Sequence, residues 1–412
     1  MRALLIVADG MADRPIKELG WNTPLEVARK PSIDRIADTG ICGIIDPISP
    51  GVPPGSDTAT LSLLGYDPLK YYSGRGALEA LGWGLKVGKN DVCFRCNFAT
   101  VDENLTVLDR RAGRISNDDA SKLAENLRKI KISHPSVEFL FQNTVQHRGA
   151  LVLRGSNLSP FVGDSDPKKD RKQVLEVKPL NSSPEAKFTA KILNELTQKF
   201  NKVLKSHKVN LDRVRRGLLP ANIVLFRGAG KIPEIKRLHE IYNVKTACVA
   251  VTSLIRGVCK VAGMQLLNVE GATGTPQTNY LAKAKVAIQA LKDNDFVFLH
   301  VKAPDAAGHD GNPKQKVEII ERIDSMVSNI LENVNLDETY VALTSDHTTS
   351  CVTREHQGDP VPVAITGPYV RKDEVKKYGE RSCAKGSLGR IRGINLMPIL
   401  MDLIGKSEKF GA

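Results

Sequence analysis

Residues 296–356 constrain the fold more than any other stretch of this chain. The apolar runs Phe296–Val301 and Tyr340–Thr344 each predict a strand that is buried along its whole length. Such strands are typical of a parallel sheet covered on both faces, and ligands bind at the carboxyl ends of its strands. The residues that follow these two runs are carboxylates and imidazoles: Asp305 and His309, then Asp346 and His347, and finally His356.

These side chains are the ligands that a hard or borderline divalent metal ion requires. Taken alone, Asp305 and His309 are also the spacing of two ordinary neighbours on a helix surface. The adjacent Asp346 and His347 favour the metal interpretation, because successive side chains at a strand end point in opposite directions. One short element can therefore serve two ions, and with His356 the segment predicts a two-metal site.

The beginning of the chain offers two further candidates for the same edge of the sheet. Ala3–Ala8 predicts a buried parallel strand, and Asp9 after it is either a turn cap or a metal ligand. Ser56 follows a stretch of prolines and glycines and begins a predicted helix. It is either an ordinary helix N-cap or a nucleophile whose alkoxide a helix N-terminus and a metal would both stabilise. A single helix is predicted over Pro24–Thr39.

The middle of the chain has a different texture, with alternating strands and more arginine and lysine. It predicts an α+β insertion at residues 73–234, inside a discontinuous α/β core made of residues 1–72 and 235–412. Arginine forks bind carboxylate and phosphate bidentately, although a solvent-facing basic turn is the competing interpretation. The candidate substrate contacts in the insertion are Arg111, Arg114, His147, Arg148 and Arg227.

Composition excludes several classes of protein. The net charge of +13 invites a nucleic-acid interpretation, but no zinc-finger spacing, aromatic RNA-binding motif or basic zipper is present. A solvated basic face or an anion-attracting cleft is favoured instead. No apolar run approaches the length of a membrane span, and the N-terminus lacks the features of a signal peptide. With seven scattered cysteines, the chain is expected to be cytoplasmic.

Together, seven motifs resemble the cofactor-independent phosphoglycerate mutase family in its archaeal form, within the alkaline phosphatase superfamily. The motifs are Val7–Gly10, Pro54–Ala59, Asp109–Arg114, Arg227–Gly230, His300–His309, Thr344–His347 and His356. The resemblance implies a doubly wound, mostly parallel, alkaline-phosphatase-like core with a smaller inserted domain. It further implies that Asp305, His309 and His356 hold one divalent metal ion, and that Asp9, Ser56, Asp346 and His347 hold another.

The resemblance also implies a reaction that interconverts 3-phosphoglycerate and 2-phosphoglycerate without 2,3-bisphosphoglycerate. Manganese or magnesium is the implied metal, and the ligands would also suit zinc or cobalt. Ser56 would be the nucleophile that forms a phosphoserine, and Asp109 is a candidate general acid or base. The expected partner is a small phosphorylated three-carbon acid, with no nucleic acid or membrane involved, and a homo-oligomer is left open. The alternative is a metal-dependent phosphatase or phosphodiesterase on the same core.

Overall fold

The computed structural model describes residues 1–411 and divides into two compact units. Within these residues, the core unit comprises residues 1–72 and 234–411, and the inserted unit comprises Ser73–Pro233. The first segment of the core unit contains β1 Arg2–Ala8, α1 Pro24–Val27, α2 Pro31–Asp38, β2 Ile41–Asp46, α3 Ser56–Leu63 and α4 Pro68–Tyr71, with a 3₁₀ turn at Lys17–Leu19.

The inserted unit contains nine elements, five of them strands. They are α5 Arg75–Gly82, β3 Val92–Val101, β4 Val107–Asp109, α6 Asn117–Leu127, β5 Val137–Asn143, β6 Arg148–Gly155, α7 Pro184–Lys205, α8 Lys208–Arg215 and β7 Ile223–Gly230.

The second segment of the core unit completes its sheet and most of its helices. It contains α9 Leu238–Tyr242, β8 Thr246–Val249, α10 Ser253–Val261, β9 Gln265–Leu267, α11 Tyr280–Ala290, β10 Phe296–Val301, α12 Ala303–Asp310, α13 Pro313–Asn333, β11 Thr339–Thr344, β12 Thr348–Thr349, β13 His356–Gln357, β14 Val361–Thr366, α14 Glu380–Cys383, β15 Gly389–Arg392, a 3₁₀ turn at Gly393–Asn395 and α15 Leu396–Leu403.

The core unit is built on an eight-stranded sheet in the order β15-β2-β14-β11-β1-β10-β8-β9. All neighbouring strands are parallel except where β14 pairs antiparallel with β11 and β2. The predicted mostly parallel α/β sheet is thus confirmed. Strand β1 lies between β10 and β11, with Ala8 beside Val301 and Val7 beside Thr344. The residues that follow all three strands therefore emerge at one edge of the sheet.

Both faces of this sheet are covered, as the continuous apolar runs predicted. Leu4 and Ile6 of β1 join one core cluster with residues from α2, α11 and α13. The alternate residues Leu5 and Val7 point to the opposite face and are equally buried. A strand buried on both sides cannot show polar alternation, which explains why β10 and β11 read as unbroken apolar runs.

The single helix predicted over Pro24–Thr39 was wrong. The structure has two helices, α1 and α2, and Pro31 occupies the first turn of the second. Proline lacks a backbone N–H and disfavours the helical conformation of the residue before it. Lys30 accordingly has φ −139° and ψ 59°, which ends any continuous helix at this point.

The inserted unit folds around its own antiparallel sheet. Strand β3 is central, with β6 on one side and β7 on the other, and β4 and β5 extend the sheet. Helices α6 and α7 cover one face, where Phe98, Phe141, Phe200 and Phe226 pack edge to face at centroid distances of 5.6–5.9 Å. This arrangement has the α+β character that the alternating strands predicted. Within residues 1–411, no helix has the length and apolarity that a membrane crossing requires.

Candidate active site

The aspartate and histidine residues that were predicted as metal ligands lie at the carboxyl-terminal edge of the core sheet. Asp9 follows β1, whereas Asp346 and His347 follow β11. Asp305 and His309 lie one turn apart on α12, which begins directly after β10. The short hairpin formed by β12 and β13 then carries His356 back towards α12.

The first ligand group consists of Asp305, His309 and His356. The Nε2 atoms of both histidines lie 3.3 Å from Asp305 Oδ1 and 3.2 Å from each other. Their Nδ1 atoms face backbone carbonyls, at 2.8 Å from Arg354 O and 2.7 Å from Pro54 O. A carbonyl can only accept, so each Nδ1 carries a proton, and in the neutral ring each Nε2 presents a lone pair towards Asp305.

The second ligand group consists of Asp9, Asp346 and His347, all fully buried. His347 Nε2 lies 3.4 Å from Asp9 Oδ1 and 3.4 Å from Asp346 Oδ2. Asp346 Oδ1 accepts a hydrogen bond from Gly10 N at 3.0 Å, and Oδ2 has no hydrogen-bond partner among residues 1–411. An orphaned buried carboxylate oxygen is costly unless another ligand, such as a cation, satisfies it.

Ser56 lies beside the second ligand group, at the first helical position of α3. Its Oγ is 3.1 Å from His347 Nε2, and the residue is buried. The N-cap of α3 is Gly55, with extended backbone at φ −84° and ψ 157°. The alternative of Ser56 as an ordinary N-cap is therefore wrong, and its hydroxyl points into the site.

Two residues of this site had been given no role from the sequence, His300 and Lys302. His300 Nε2 lies 3.0 Å from Asp9 Oδ2, and the ammonium of Lys302 lies 3.1 Å from both oxygens of Asp9. Lys302 also contacts Asp305 Oδ2 at 2.5 Å, so it joins the two ligand groups. Both residues stand in the motif His300–His309, and for Lys302 the available signal was a charged residue directly after a buried strand.

The electrostatics of the site follow from its burial. Burial, reinforced by the nearby charge of Asp9, raises the pKa of Asp346 well above its usual range. Burial also lowers the pKa of His347 to about 3, so its imidazole is neutral, as metal ligation requires. For Lys302, burial opposes the charged form, but Asp9 and Asp305 outweigh it and raise the pKa of the ammonium.

The donor set fits divalent metal ions. Three overlapping sets of residues could each hold a metal ion, because the potential ligand atoms within each set lie within 4.8 Å of one another. The sets are Asp305 with His309 and His356, Asp9 with Asp305 and His347, and Asp9 with His300 and Asp346. Carboxylate oxygens and imidazole nitrogens are the donors of divalent cation sites. The orphaned Asp346 Oδ2 independently indicates a missing positive partner.

The predicted residues of the inserted unit fall into two settings. Asp109 closes a turn, because its oxygens accept hydrogen bonds from Arg111 N at 2.6 Å and Gly113 N at 3.1 Å. Arg111 and Arg114 are exposed in this turn, and Arg114 has φ +54°. His147 is buried, and burial together with Arg148 lowers its pKa to about 4, so it is neutral at pH 7.

Arg148 and Arg227 belong to a larger group that we call the arginine cluster, and three of its members were missed. Its members are Arg75, Arg95, Arg110, Arg148 and Arg227, with Glu79 and Asp166 as the acidic partners. Strand register explains the grouping, since Arg95 of β3 pairs with Arg227 of β7. Arg95 contacts Glu79 at 2.9 Å, and burial lowers the pKa of Arg95 to about 10.

Positive charge exceeds negative charge in the arginine cluster, so it attracts anions. Arg110 binds Asp166 with two hydrogen bonds of 2.9 and 2.7 Å, which leaves Arg227 only a 3.6 Å contact to the same carboxylate. The buried Arg227 Nε has no hydrogen-bond partner among residues 1–411. An unpaired guanidinium N–H beside other arginines is suited to a carboxylate or phosphate ligand.

Comparisons of sequence place the chain among enzymes of one kind. A family model for 2,3-bisphosphoglycerate-independent phosphoglycerate mutase matches residues 37–210. The chain is 48% identical over 411 residues to 2,3-bisphosphoglycerate-independent phosphoglycerate mutase 1 of Methanocaldococcus jannaschii, covering 100% of this chain and 99% of that protein. The mutase of Thermococcus kodakarensis is also 48% identical, over 413 residues with coverage of 100% and 99%.

Solved structures give the same relationship at the level of the fold. A protein from Pyrococcus horikoshii superposes with a TM-score of 0.88 at 43% identity, with coverage of 100% of this chain and 99% of that one. A cofactor-independent phosphoglycerate mutase from Thermoplasma acidophilum has a TM-score of 0.73 at 37% identity, with coverage of 98% and 100%.

Proposed function

This chain belongs to the family of 2,3-bisphosphoglycerate-independent phosphoglycerate mutases, isomerases that interconvert 3-phosphoglycerate and 2-phosphoglycerate, and we propose that it works through a phosphoserine formed on Ser56. The observation that carries this mechanism is the position of the Ser56 hydroxyl. It lies at the N-terminus of α3 and 3.1 Å from His347 Nε2, beside the second ligand group. The partial positive charge of a helix N-terminus favours an alkoxide and a phosphate alike.

Each ligand group is proposed to hold one divalent metal ion. Asp305, His309 and His356 would hold the first ion, and Asp9, Ser56, Asp346 and His347 would hold the second. When bound, such ions polarise a phosphate and lower the pKa of a coordinated hydroxyl. Manganese or magnesium suits the carboxylate and hydroxyl donors, whereas the imidazoles would also accept zinc or cobalt.

The metal identity can be tested by reconstitution. Protein stripped with a chelator is dialysed against each of the four metals, and metal content and mutase activity are measured together. The proposal predicts two equivalents of metal per chain and highest activity with manganese or magnesium. Two equivalents with activity only in zinc or cobalt would replace this part of the proposal.

The proposed reaction proceeds in two transfers. Ser56 Oγ attacks phosphorus, the bond between phosphorus and the 3-oxygen breaks, and the 3-oxygen takes up the proton that the serine hydroxyl releases. The glycerate then turns so that its 2-hydroxyl attacks the phosphoserine, gives up its proton and restores Ser56. Water must stay out between the two transfers, because it would convert the phosphoserine to inorganic phosphate.

The inserted unit, Ser73–Pro233, is proposed to bind the anionic substrate. Arg148 and Arg227 are supported by their place in the arginine cluster, and Arg75 and Arg95 join them on the same grounds. Arg111, Arg114 and His147 stay in the proposed set of substrate contacts. The hydrogen bonds of Asp109 support a role in closing its turn, and its role as a general acid or base stays a prediction.

Phosphorus NMR tests the proposal against the phosphatase alternative. The manganese-loaded protein is given 3-phosphoglycerate in the absence of 2,3-bisphosphoglycerate. A growing 2-phosphoglycerate signal without matching inorganic phosphate is the expected result. Inorganic phosphate alone would mean hydrolysis on the same core. In a denaturing quench, a phosphoserine resonance that is absent from Ser56→Ala would identify the intermediate.

A further inference from the structure

Thr349, on β12, connects the two ligand groups through one hydroxyl. The residue is fully buried, and its Oγ1 lies 2.7 Å from Asp305 Oδ1 and 3.0 Å from His347 Nδ1. Asp305 belongs to the first ligand group, and His347 belongs to the second. This hydroxyl is therefore a direct link between the two groups.

The hydrogen count fixes the direction of both bonds. A threonine hydroxyl has one proton to donate, and an ionised carboxylate can only accept. The proton of Thr349 therefore goes to Asp305, and its oxygen must accept from His347 Nδ1–H. His347 Nε2 is then unprotonated and presents its lone pair towards Asp9, Asp346 and the hydroxyl of Ser56.

Two glycines leave the space that Thr349 occupies. A Cβ on Gly10 would lie 2.4 Å from Thr349 Oγ1, and a Cβ on Gly308 would lie 2.7 Å from its Cγ2. Gly10 follows Asp9 directly, and Gly308 lies between Asp305 and His309 on α12. Two of the three segments that carry acidic ligands thus close around this single side chain, and a larger residue at either glycine would push it out of place.

We propose that Thr349 is a positioning residue that sets the tautomer of His347 and couples the geometry of the two ligand groups. The hydroxyl holds the imidazole with Nε2 free and simultaneously orients the carboxylate of Asp305. This inference rests on the proposed metal-binding function, because the free Nε2 matters as a metal ligand. Hydrogen-bond partners behind metal ligands typically contribute about 10–100-fold to metal affinity.

The test compares three variants of the whole protein. Thr349→Val removes the hydroxyl at constant shape, and Thr349→Ser restores it. Thr348→Val is the matched control, since Thr348 is the preceding buried threonine of the same strand and, among residues 1–411, its side chain makes no hydrogen bond to either ligand group. Two quantities are measured: the ring ¹⁵N shifts of His347 in the metal-free protein, and the affinity for Mn²⁺ by calorimetry. The His347 signals are assigned by their loss in His347→Gln.

The expected result is a pure Nδ1–H tautomer in the wild type, Thr349→Ser and Thr348→Val. Thr349→Val should show a mixed tautomer and bind Mn²⁺ about 10–100-fold more weakly. An unchanged tautomer and affinity in Thr349→Val would overturn the inference. Equal losses in the Ser and Val variants would also overturn it, because they would assign the effect to packing. Failure of the wild type to bind Mn²⁺ would instead refute the proposed function, and the tautomer measurement is independent of that outcome.

Discussion

Removing the ammonium of Lys302 should destabilise the metal-free protein and tighten its binding of metal. Lys302 Nζ lies 3.1 Å from both oxygens of Asp9 and 2.5 Å from Asp305 Oδ2, and both carboxylates are buried. Lys302→Met keeps the length of the side chain but leaves these carboxylates without their cation. A metal ion in the proposed ligand groups would compensate for that loss.

The structure sets the size of the effect. Removing one partner from a buried ion pair costs about 3–5 kcal/mol. The side chain of Lys302 is 23% exposed, so we expect a loss near the lower end, about 3 kcal/mol, in the free energy of unfolding without metal. If bound ions neutralise the carboxylates, the loss disappears in the loaded protein. The thermodynamic cycle then requires Mn²⁺ to bind the variant up to roughly 100-fold more tightly.

The assay is urea unfolding in chelator and in excess Mn²⁺, combined with calorimetric titration of Mn²⁺. Excess Mn²⁺ at about 1,000 times its dissociation constant adds roughly 4 kcal/mol, which more than offsets the loss. Lys30→Met is the matched control, because Lys30 is a buried lysine paired with Asp34, which belongs to neither ligand group. It should lower stability with and without metal and leave the affinity for Mn²⁺ unchanged. Weaker or unchanged Mn²⁺ binding by Lys302→Met would refute this reasoning.

Three further predictions concern the nucleophile and the inserted unit. Ser56→Ala should lower kcat by roughly 10⁴–10⁶-fold with the protein still folded. The control is Ser62→Ala, which removes a buried hydroxyl without a hydrogen-bond partner among residues 1–411 and should keep full activity. An active Ser56→Ala variant would rule out the phosphoserine. The pKa of His147 is lowered to about 4 in the native protein, whereas in the unfolded chain it is 6.5. Between pH 6.5 and pH 4, His147 is therefore protonated in the unfolded chain and neutral in the native protein, and this difference favours unfolding as the pH falls. The wild type therefore loses on the order of 3 kcal/mol across that window, and His147→Gln should show a shallower loss in urea unfolding at pH 7 and pH 4.5; parallel losses would contradict the assignment. Arg227→Met should raise KM for 3-phosphoglycerate about 10–100-fold, because it removes a charge-assisted contact of about 1.5–3 kcal/mol. Arg216 is exposed, and the control variant Arg216→Met should leave KM unchanged. Equal KM values in the two variants would remove Arg227 from the substrate site.

Local sequence patterns were sufficient for the strands and for many of the ligands. The runs that became β1, β10 and β11 are apolar because both of their faces are buried, and that property is visible in any single stretch of sequence. Asp305 and His309 lie on one helix face because they are four residues apart on α12. The break at Pro31 was also readable, since a proline at that position limits the helix before it.

Contacts that depend on strand register were not predictable from local patterns. Arg95 and Arg227 become neighbours only because β3 and β7 pair antiparallel in one register, and a shift of one residue would place the two side chains on opposite faces. A charged residue inside the otherwise buried strand β3 was the only sequence signal for Arg95. Thr349 gave less signal still, because nothing in the sequence distinguishes it from Thr348.

Strand order explains why residues so distant in sequence form one site. The carboxyl ends of parallel strands meet at the same edge whatever their order, so the sequence could predict a shared edge. It could not predict that β1 lies between β10 and β11. That central place puts Asp9 within reach of Lys302 on one side and of His347 on the other. Asp9 therefore belongs to two of the three potential metal-ligand sets. Because β1 lies between β10 and β11, Asp9, the first carboxylate of the chain, connects the ligands that follow β10 with the ligands that follow β11.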